Sequence, residues 1–138
     1  MNHTKRFDFK KIKTIAIVGL SDKPERPSYK VGKYLIDRGF KIFPVNPNID
    51  NFFGIKSYPN LVSINRLIDT VVIFRKSELV EPIVDEAIKI GAKTIWMQEG
   101  VINEKAAAKA RAAGLTVVMN MCMMKEHKKQ KTYEMISE

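Results

Sequence analysis

The chain has 138 residues, of which 45% are hydrophobic, 28% are charged and one is a cysteine. This balance predicts one soluble domain with one core, and no apolar run approaches the roughly 20 residues that a membrane helix needs. The net charge of +9 is spread along the chain, without a basic stripe interleaved with aromatic residues, so nucleic acid is not an expected partner. The N-terminus does not resemble a secretory signal, and together with the single cysteine this predicts a cytoplasmic location.

Five short segments rich in apolar and β-branched residues predict buried strands. They are residues 12–18, 40–45, 70–74, 94–97 and 115–119. Each segment is nearly all apolar rather than alternating, which is typical of strands that are covered on both faces of a parallel sheet.

Helical patterns occupy the segments between these strands. The predicted helices are residues 28–38, 78–90 and 103–113, with a short helical turn at 61–64. Gly39, Gly91 and Gly114 follow the three helices directly, at positions where a glycine commonly ends a helix.

The alternation of strands and helices predicts a single-domain, Rossmann-like α/β fold. Parallel strands that are joined by helices require right-handed crossovers, which gives a doubly wound sheet. We expect five parallel strands in the order 3-2-1-4-5. We also expect residues 1–10 and 129–138 to be peripheral or mobile.

The loop after the first strand has features of an anion-binding site. In a doubly wound sheet, ligands bind beyond the carboxyl ends of the strands. Gly19 permits a tight turn and close backbone approach, and the start of the next helix offers free N–H groups. Ser21 and Ser28 add hydroxyl groups, while Lys23 and Arg26 add positive charge. The alternative interpretation is that this loop is only a strand-to-helix turn and binds no anion.

The loop matches neither of two common phosphate-binding motifs. A dinucleotide fingerprint needs G-x-G-x-x-G and an acid about 20 residues further on. This chain has Gly19 alone, and Asn46 lies at the end of the second strand. No P-loop sequence occurs. An NAD(P)-binding redox protein therefore remains only as a weaker alternative.

Two longer stretches of the sequence, the first of which includes this loop, bear on the kind of ligand. The first is VGLSDKPERPSYKVGKYLIDRGFKIFPVNPN, and the second runs from DTVVIFRKSELVEP to CMMKEH. They resemble the small CoA-binding proteins of the YccU type. They are also similar to the CoA-binding domain of succinyl-CoA synthetase α subunits and of ADP-forming acyl-CoA synthetases. The resemblance covers roughly residues 10–128.

The resemblance implies that the ligand is CoA or acyl-CoA. The loop after strand one would hold the phosphates, strand two would border the adenosine, strand three would line the other side, and strand four would approach the pantetheine. In that order, the implied residues are Gly19, Ser21, Lys23, Arg26 and Ser28; Val45 and Asn46; Phe74, Arg75 and Ser77; and Gln98 and Gly100. We expect a larger residue at Gly19 to abolish CoA binding and to leave the fold largely intact.

The sequence favours binding over catalysis. The related ligases carry a phosphorylated histidine on a further domain and a nucleotide-grasping module, neither of which we expect in 138 residues. No metal-ligand cluster or catalytic triad is evident. We predict a stand-alone CoA-binding carrier, sensor or partner module, and a second copy or a protein partner stays open.

The alternative is an enzyme that acts on acyl-CoA or a CoA disulfide through Cys122. His127 follows Cys122 in the motif CMMKEH, and a cysteine beside a histidine can become a reactive thiolate. The competing interpretation is a buried, structural cysteine. The other histidine is His3, in the N-terminal segment.

Overall fold

Seven strands and four α-helices make up the computed structural model, which describes residues 7–137. The strands are β1 Thr14–Val18, β2 Lys41–Val45, β3 Asn51–Phe52, β4 Ile55–Lys56, β5 Thr70–Ile73, β6 Thr94–Met97 and β7 Thr116–Val118. The helices are α1 Pro27–Asp37, α2 Val80–Lys89, α3 Glu104–Ala112 and α4 Met123–Ser137. Short 3-10 turns lie at Phe9–Lys11, Leu61–Ser63 and Ser77–Leu79.

The single-domain α/β architecture predicted from the sequence is confirmed. All five predicted strands form one parallel sheet, and the three predicted helices and the turn after residue 60 are present. Asn103 begins α3 as predicted, because its side chain accepts a hydrogen bond from the N–H of Ala106. Within the described residues, no helix is both long and apolar enough to cross a membrane.

The predicted strand order is wrong. The observed order is β2-β1-β5-β6-β7, which is 2-1-3-4-5 when only the five sheet strands are numbered. Pro44 gives a physical reason, since it lacks an N–H and is tolerated on an edge strand but not in the middle of a ladder. The carbonyl of Pro44 accepts from the N–H of Tyr58 on the outer side of β2, so the missing donor also faces that side. The predicted order would have placed another strand there.

A short hairpin formed by β3 and β4 was not predicted. It follows β2, and its turn contains Phe53 and Gly54, both with positive φ. Glycine or asparagine is usual at the first of these two positions, and a phenylalanine there hides the hairpin signal. The hairpin and the turn at Leu61–Ser63 carry the chain from the edge strand β2 to β5, on the far side of β1.

Each face of the sheet has its own apolar core. Ile15 and Ile17 point to the face that is covered by α1 and α4, whereas Ala16 and Val18 point to the face that is covered by α2 and α3. Helices therefore cover both faces, as the all-apolar strands predicted. Helix α4 follows the last strand of the sheet and buries Met123 in the core that it shares with α1.

The carboxylate of Asp69 ties the amino ends of β1 and β5 together. It accepts hydrogen bonds from the backbone N–H groups of Lys13 and Thr14, both at 2.9 Å, and from the hydroxyls of Thr14 and Thr70. The strands are thereby held in register at the edge of the sheet opposite to their carboxyl ends.

The terminal segments were predicted to be peripheral. Residues 1–6, which include His3, and residue 138 lie outside the described part of the chain. Phe9 is an exception to the prediction, because its side chain is buried against Trp96 and His127. Residues 129–137 continue helix α4, on which Met135 and Ile136 are exposed.

Candidate functional site

A cavity of about 680 Å³ lies at the carboxyl ends of β1, β2 and β5, and we call it the carboxyl-edge cavity. The loops after these three strands supply most of its walls. Eight of the twelve predicted site residues line it: Gly19, Ser21, Lys23, Arg26, Ser28, Asn46, Phe74 and Arg75. The sheet therefore brings together the segments that the sequence pattern had placed at its carboxyl edge.

The loop between β1 and α1 is held by its own side chains. The buried hydroxyl oxygen of Ser28 accepts a hydrogen bond from the N–H of Ser21 at 2.9 Å. The hydroxyl oxygen of Ser21 in turn accepts from the N–H of Lys23 at 3.1 Å. Because both oxygens act as acceptors, both O–H hydrogens remain able to donate to a ligand. The loop is thus ordered around the cavity by its own hydrogen bonds.

Gly19 is required by the backbone of the protein itself. Its φ is +87°, and a Cβ at this position would overlap the carbonyl oxygen of Phe74. Its N–H donates to the carbonyl of Val45 at 2.9 Å, and the N–H of Phe74 donates to Val18 at 2.9 Å. The structure therefore predicts that a larger residue at Gly19 destabilises the fold, which differs from the expectation drawn from the sequence, because three strand ends meet there.

Asn46 joins the loops after β1 and β2. Its side-chain N–H donates to the carbonyl of Leu20 at 2.9 Å, and its side-chain oxygen accepts from the N–H of Asn48 at 2.8 Å. An aspartate could not donate to Leu20, so the neutral amide has a structural role at this edge of the cavity.

The carboxyl-edge cavity is strongly cationic. Lys23, Arg26, Arg75 and Lys76 line it, against the single carboxylate of Asp22. None of these four cations forms an ion pair with a carboxylate among residues 7–137, whereas several lysines on the helices do. Lys76 was not singled out from the sequence, although it follows Arg75 directly.

The N-terminus of α1 adds to this positive potential. Arg26 is the N-cap residue and Pro27 is the first helical residue, and no side chain among residues 7–137 caps the N–H groups of the first turn. Free N–H groups at the start of a helix favour anions. The cavity therefore combines helix-terminal donors with side-chain cations that have no ion partner among the described residues, which suits a ligand that carries several negative charges.

A second cavity of about 340 Å³ adjoins the first and shares Gly19 and Arg75 with it. Its walls are mainly apolar and include Val45, the ninth predicted residue, together with Leu61 and Ile83. We call it the apolar side cavity. A cationic surface and an apolar surface thus lie side by side at the same edge of the sheet.

The other three predicted residues do not line either cavity. The hydroxyl of Ser77 accepts from the N–H of Ile102, and the buried side chain of Gln98 accepts from the N–H of Met123. The N–H of Gly100 donates to the side chain of Asn120 at 2.7 Å. These residues tie neighbouring loops together, and a contact of any of them with the ligand stays a prediction.

Cys122 and His127 belong to the core between the sheet and the helices. Cys122 is buried in the same apolar core as Trp96, and it lines neither the carboxyl-edge cavity nor the apolar side cavity. Nδ1 of His127 is 2.7 Å from the hydroxyl oxygen of Tyr34. Burial lowers the pKa of His127 below its usual range, and the positive charges of Lys131 and Arg38 lower it further.

The described residues do not form an evident metal-binding site. No group of three or more histidine, cysteine, aspartate or glutamate side chains between residues 7 and 137 is arranged to hold a metal ion.

The chain belongs to the CoA binding domain family, whose family model matches residues 13–128. The uncharacterized protein YneT of Bacillus subtilis is 41% identical over 115 residues, which cover 83% of this chain and 85% of YneT. The ADP-forming acetate–CoA ligase of Methanocaldococcus jannaschii is 36% identical over 81 residues, but these are 59% of this chain and only 12% of the ligase.

Solved structures agree with this family and with the fold. A hypothetical protein from Pyrococcus horikoshii superposes with a TM-score of 0.86 at 40% identity, covering 94% of this chain and 98% of that chain. A dinucleotide-forming acetyl-coenzyme A synthetase from Candidatus Korarchaeum cryptofilum gives a TM-score of 0.69 at 26% identity. That match covers 78% of this chain and 26% of the synthetase.

Proposed function

We propose that this protein binds CoA or acyl-CoA in the carboxyl-edge cavity and acts without catalysis, as a carrier, a sensor or a partner module. The observation that carries the proposal is the cluster of four cations without ion partners among residues 7–137, beside the uncapped N-terminus of α1. CoA carries a pyrophosphate and a ribose 3′-phosphate, and charged hydrogen bonds to phosphates are among the strongest that proteins make. We further propose that the protein works in the cytoplasm.

The similarity to ADP-forming acetate–CoA ligases supports the choice of ligand. Those enzymes are named for a reaction with CoA, and the family model that matches residues 13–128 of this chain is that of a CoA binding domain. The proposal transfers only the ligand, because the chain corresponds to a small fraction of each ligase.

CoA fits the cavity better than a nicotinamide dinucleotide does. Dinucleotide-binding sites commonly use an acidic residue for the ribose hydroxyls. Asn46 holds the equivalent position, and both ends of its amide already bind backbone groups. A third phosphate, in contrast, adds charge that Lys23, Arg26, Arg75 and Lys76 can neutralise.

The alternative of catalysis through Cys122 has less support. A thiol that attacks a thioester or a disulfide must be reached by that substrate, and Cys122 is buried away from both cavities at the carboxyl edge. Acyl-CoA hydrolysis, measured for the wild type and for Cys122→Ser, tests this choice. If the wild type hydrolyses acyl-CoA and Cys122→Ser does not, then the protein is an enzyme and the proposal of a non-catalytic binding role is wrong.

The binding role is tested by replacing one cation at a time. Lys23→Ala and Arg26→Ala should each weaken CoA binding at least about tenfold, which is about 1.4 kcal/mol, because each would remove a charged hydrogen bond. Each variant should also reduce the salt dependence of the affinity. Lys105→Ala is the matched control, since this lysine is 81% exposed on α3 and lies away from the cavity. Unchanged affinity in both cavity variants would contradict the proposed phosphate site.

A further inference from the structure

A third cavity, of about 260 Å³, lies at the opposite edge of the sheet, and we call it the amino-edge cavity. Its walls come from the segments that precede β1 and β2 and from helix α4. Phe9 and Phe40 give it aromatic walls, and Lys10, Arg38 and Lys131 contribute positive charge. Five-residue strands separate it from the carboxyl edge by roughly 16 Å at 3.3 Å per residue, so the two sites cannot share one small ligand.

His127 is a fixed, buried polar group in the wall of this cavity. Its side chain is only 5% exposed, and its ring lies edge-on to Phe9 at 5.0 Å and to Phe40 at 5.5 Å. Nδ1 is used by the hydroxyl of Tyr34, so Nε2 is the ring nitrogen left for a ligand. No fully buried side-chain nitrogen or oxygen within the described residues lacks a partner. Nε2 has no hydrogen bond with a described residue, and His127 is one of the residues that line the cavity.

The charged side chains that line the cavity carry a net positive charge. The three cations come from three separate elements, and Glu134 is the acid in the lining. None of these four groups takes part in an ion pair with residues 7–137. The guanidinium of Arg38 is held over the ring of Tyr34, at 4.8 Å from its centroid. A cationic rim that converges on a buried imidazole and two phenyl rings is a suitable environment for an anion with an apolar body.

We propose that the amino-edge cavity is a second ligand site, which takes a small organic carboxylate. The carboxylate would lie against Arg38 and Lys131 within reach of Nε2 of His127, and its apolar part would pack on Phe9 and Phe40. The volume is equivalent to about eight or nine water molecules at about 30 Å³ each, which suits an acid of about the size of benzoate. Inorganic phosphate would leave the aromatic walls uncovered, so it is expected to bind more weakly.

Binding of such an anion is linked to protonation of His127. Lys10, Arg38, Lys131 and Glu134 line the same cavity as the ring, and the hydroxyl of Tyr34 is hydrogen-bonded to its Nδ1. Desolvation and the cations lower the pKa of His127 in the free protein. A bound carboxylate adds a negative charge beside the ring, so it must raise that pKa, and the affinity must rise as the pH falls through the same range.

The test is a titration with benzoate, followed through the ring signals of His127 by nuclear magnetic resonance. Benzoate should bind saturably at millimolar concentration and raise the pKa of His127, and benzyl alcohol and inorganic phosphate should each bind at least fivefold more weakly. Equal binding of benzyl alcohol would overturn the anionic part of the proposal, and equal binding of phosphate would overturn the apolar part. An absence of saturable binding would refute the site.

Two cavity variants locate the binding. Arg38→Ala and Lys131→Ala should each weaken benzoate binding at least fivefold, whereas Lys105→Ala and Lys23→Ala should leave it unchanged. The CoA affinity of Arg38→Ala and Lys131→Ala should equal that of the wild type, which separates this proposal from the proposed function. Melting temperatures confirm that each variant is folded. Benzoate binding that both cavity variants retain in full would place the ligand elsewhere.

Discussion

The contact between Gly19 and the carbonyl of Phe74 can be tested by adding a single methyl group. Gly19→Ala imposes a positive φ on an alanine and also pushes a Cβ against the backbone of the neighbouring strand end. Gly114 is a matched control, because it has a φ of +90° but no described residue has an atom within 4 Å of a Cβ at that position. The difference between the two alanine variants therefore isolates the steric contact from the backbone strain.

The magnitudes follow from these two costs. The strain of a positive φ alone should destabilise Gly114→Ala by about 1–2 kcal/mol. Gly19→Ala carries the same cost, and the displaced backbone should add about 1–3 kcal/mol, because the hydrogen bonds of Gly19 and Phe74 lie at the overlap. At about 4 °C per kcal/mol for a domain of this size, the melting temperature should fall by about 4–8 °C and by about 8–20 °C, respectively.

Thermal unfolding followed by circular dichroism measures both variants, and calorimetry measures their CoA affinity. Gly19→Ala should also bind CoA more weakly than Gly114→Ala, because the cavity wall formed by Gly19 and Phe74 is displaced. If Gly19→Ala loses no more stability than Gly114→Ala, then the two strand ends do not approach each other as described. The explanation of Gly19 by backbone packing would then be refuted.

Two further predictions concern stability. Lowering the pH from 7.5 towards 5 should destabilise the wild type more than His127→Gln, because the pKa of His127 is lower in the folded protein than in the unfolded chain. The stability that the neutral His127 contributes is fully present above pH 6.5. This stability is lost as the pH falls from 6.5 to the pKa of His127 in the folded state. Equal pH profiles in thermal unfolding would contradict this. Asp69→Ala should cost about 2–4 kcal/mol in the free energy of unfolding by denaturant, because it leaves two backbone N–H groups and two hydroxyls without their acceptor. A loss below about 1 kcal/mol would mean that water replaces the carboxylate.

The elements of the fold could be predicted from the sequence because their signals are local. All-apolar strands such as Thr70–Ile73 and the glycines that follow the helices mark their own positions. Strand order is not local, since both 3-2-1-4-5 and 2-1-3-4-5 satisfy the right-handed crossover rule. Pro44 carries the missing information, because a proline within a strand indicates an edge strand.

The site could be predicted to the extent that it depends on the carboxyl ends of parallel strands. Lys23, Arg26 and Arg75 follow two such strands and converge on one cavity. Gln98 and Ser77 also follow strands, yet their side chains bind backbone groups of adjacent segments. The position of a residue after a strand could not show whether its side chain lines the cavity or binds the backbone of a neighbouring segment. That choice depends on which loops meet across the edge of the sheet.

The choice of ligand is the central claim, and one comparison tests it most directly. Calorimetric titration of the wild-type protein with CoA, dephospho-CoA and NAD, under the same salt and pH, measures the contribution of the additional phosphate and the preference between the two kinds of cofactor. We expect CoA to bind most tightly, with dephospho-CoA and NAD weaker, because the four cations of the carboxyl-edge cavity have no partners among the described acids. NAD binding that equals or exceeds CoA binding would contradict the account.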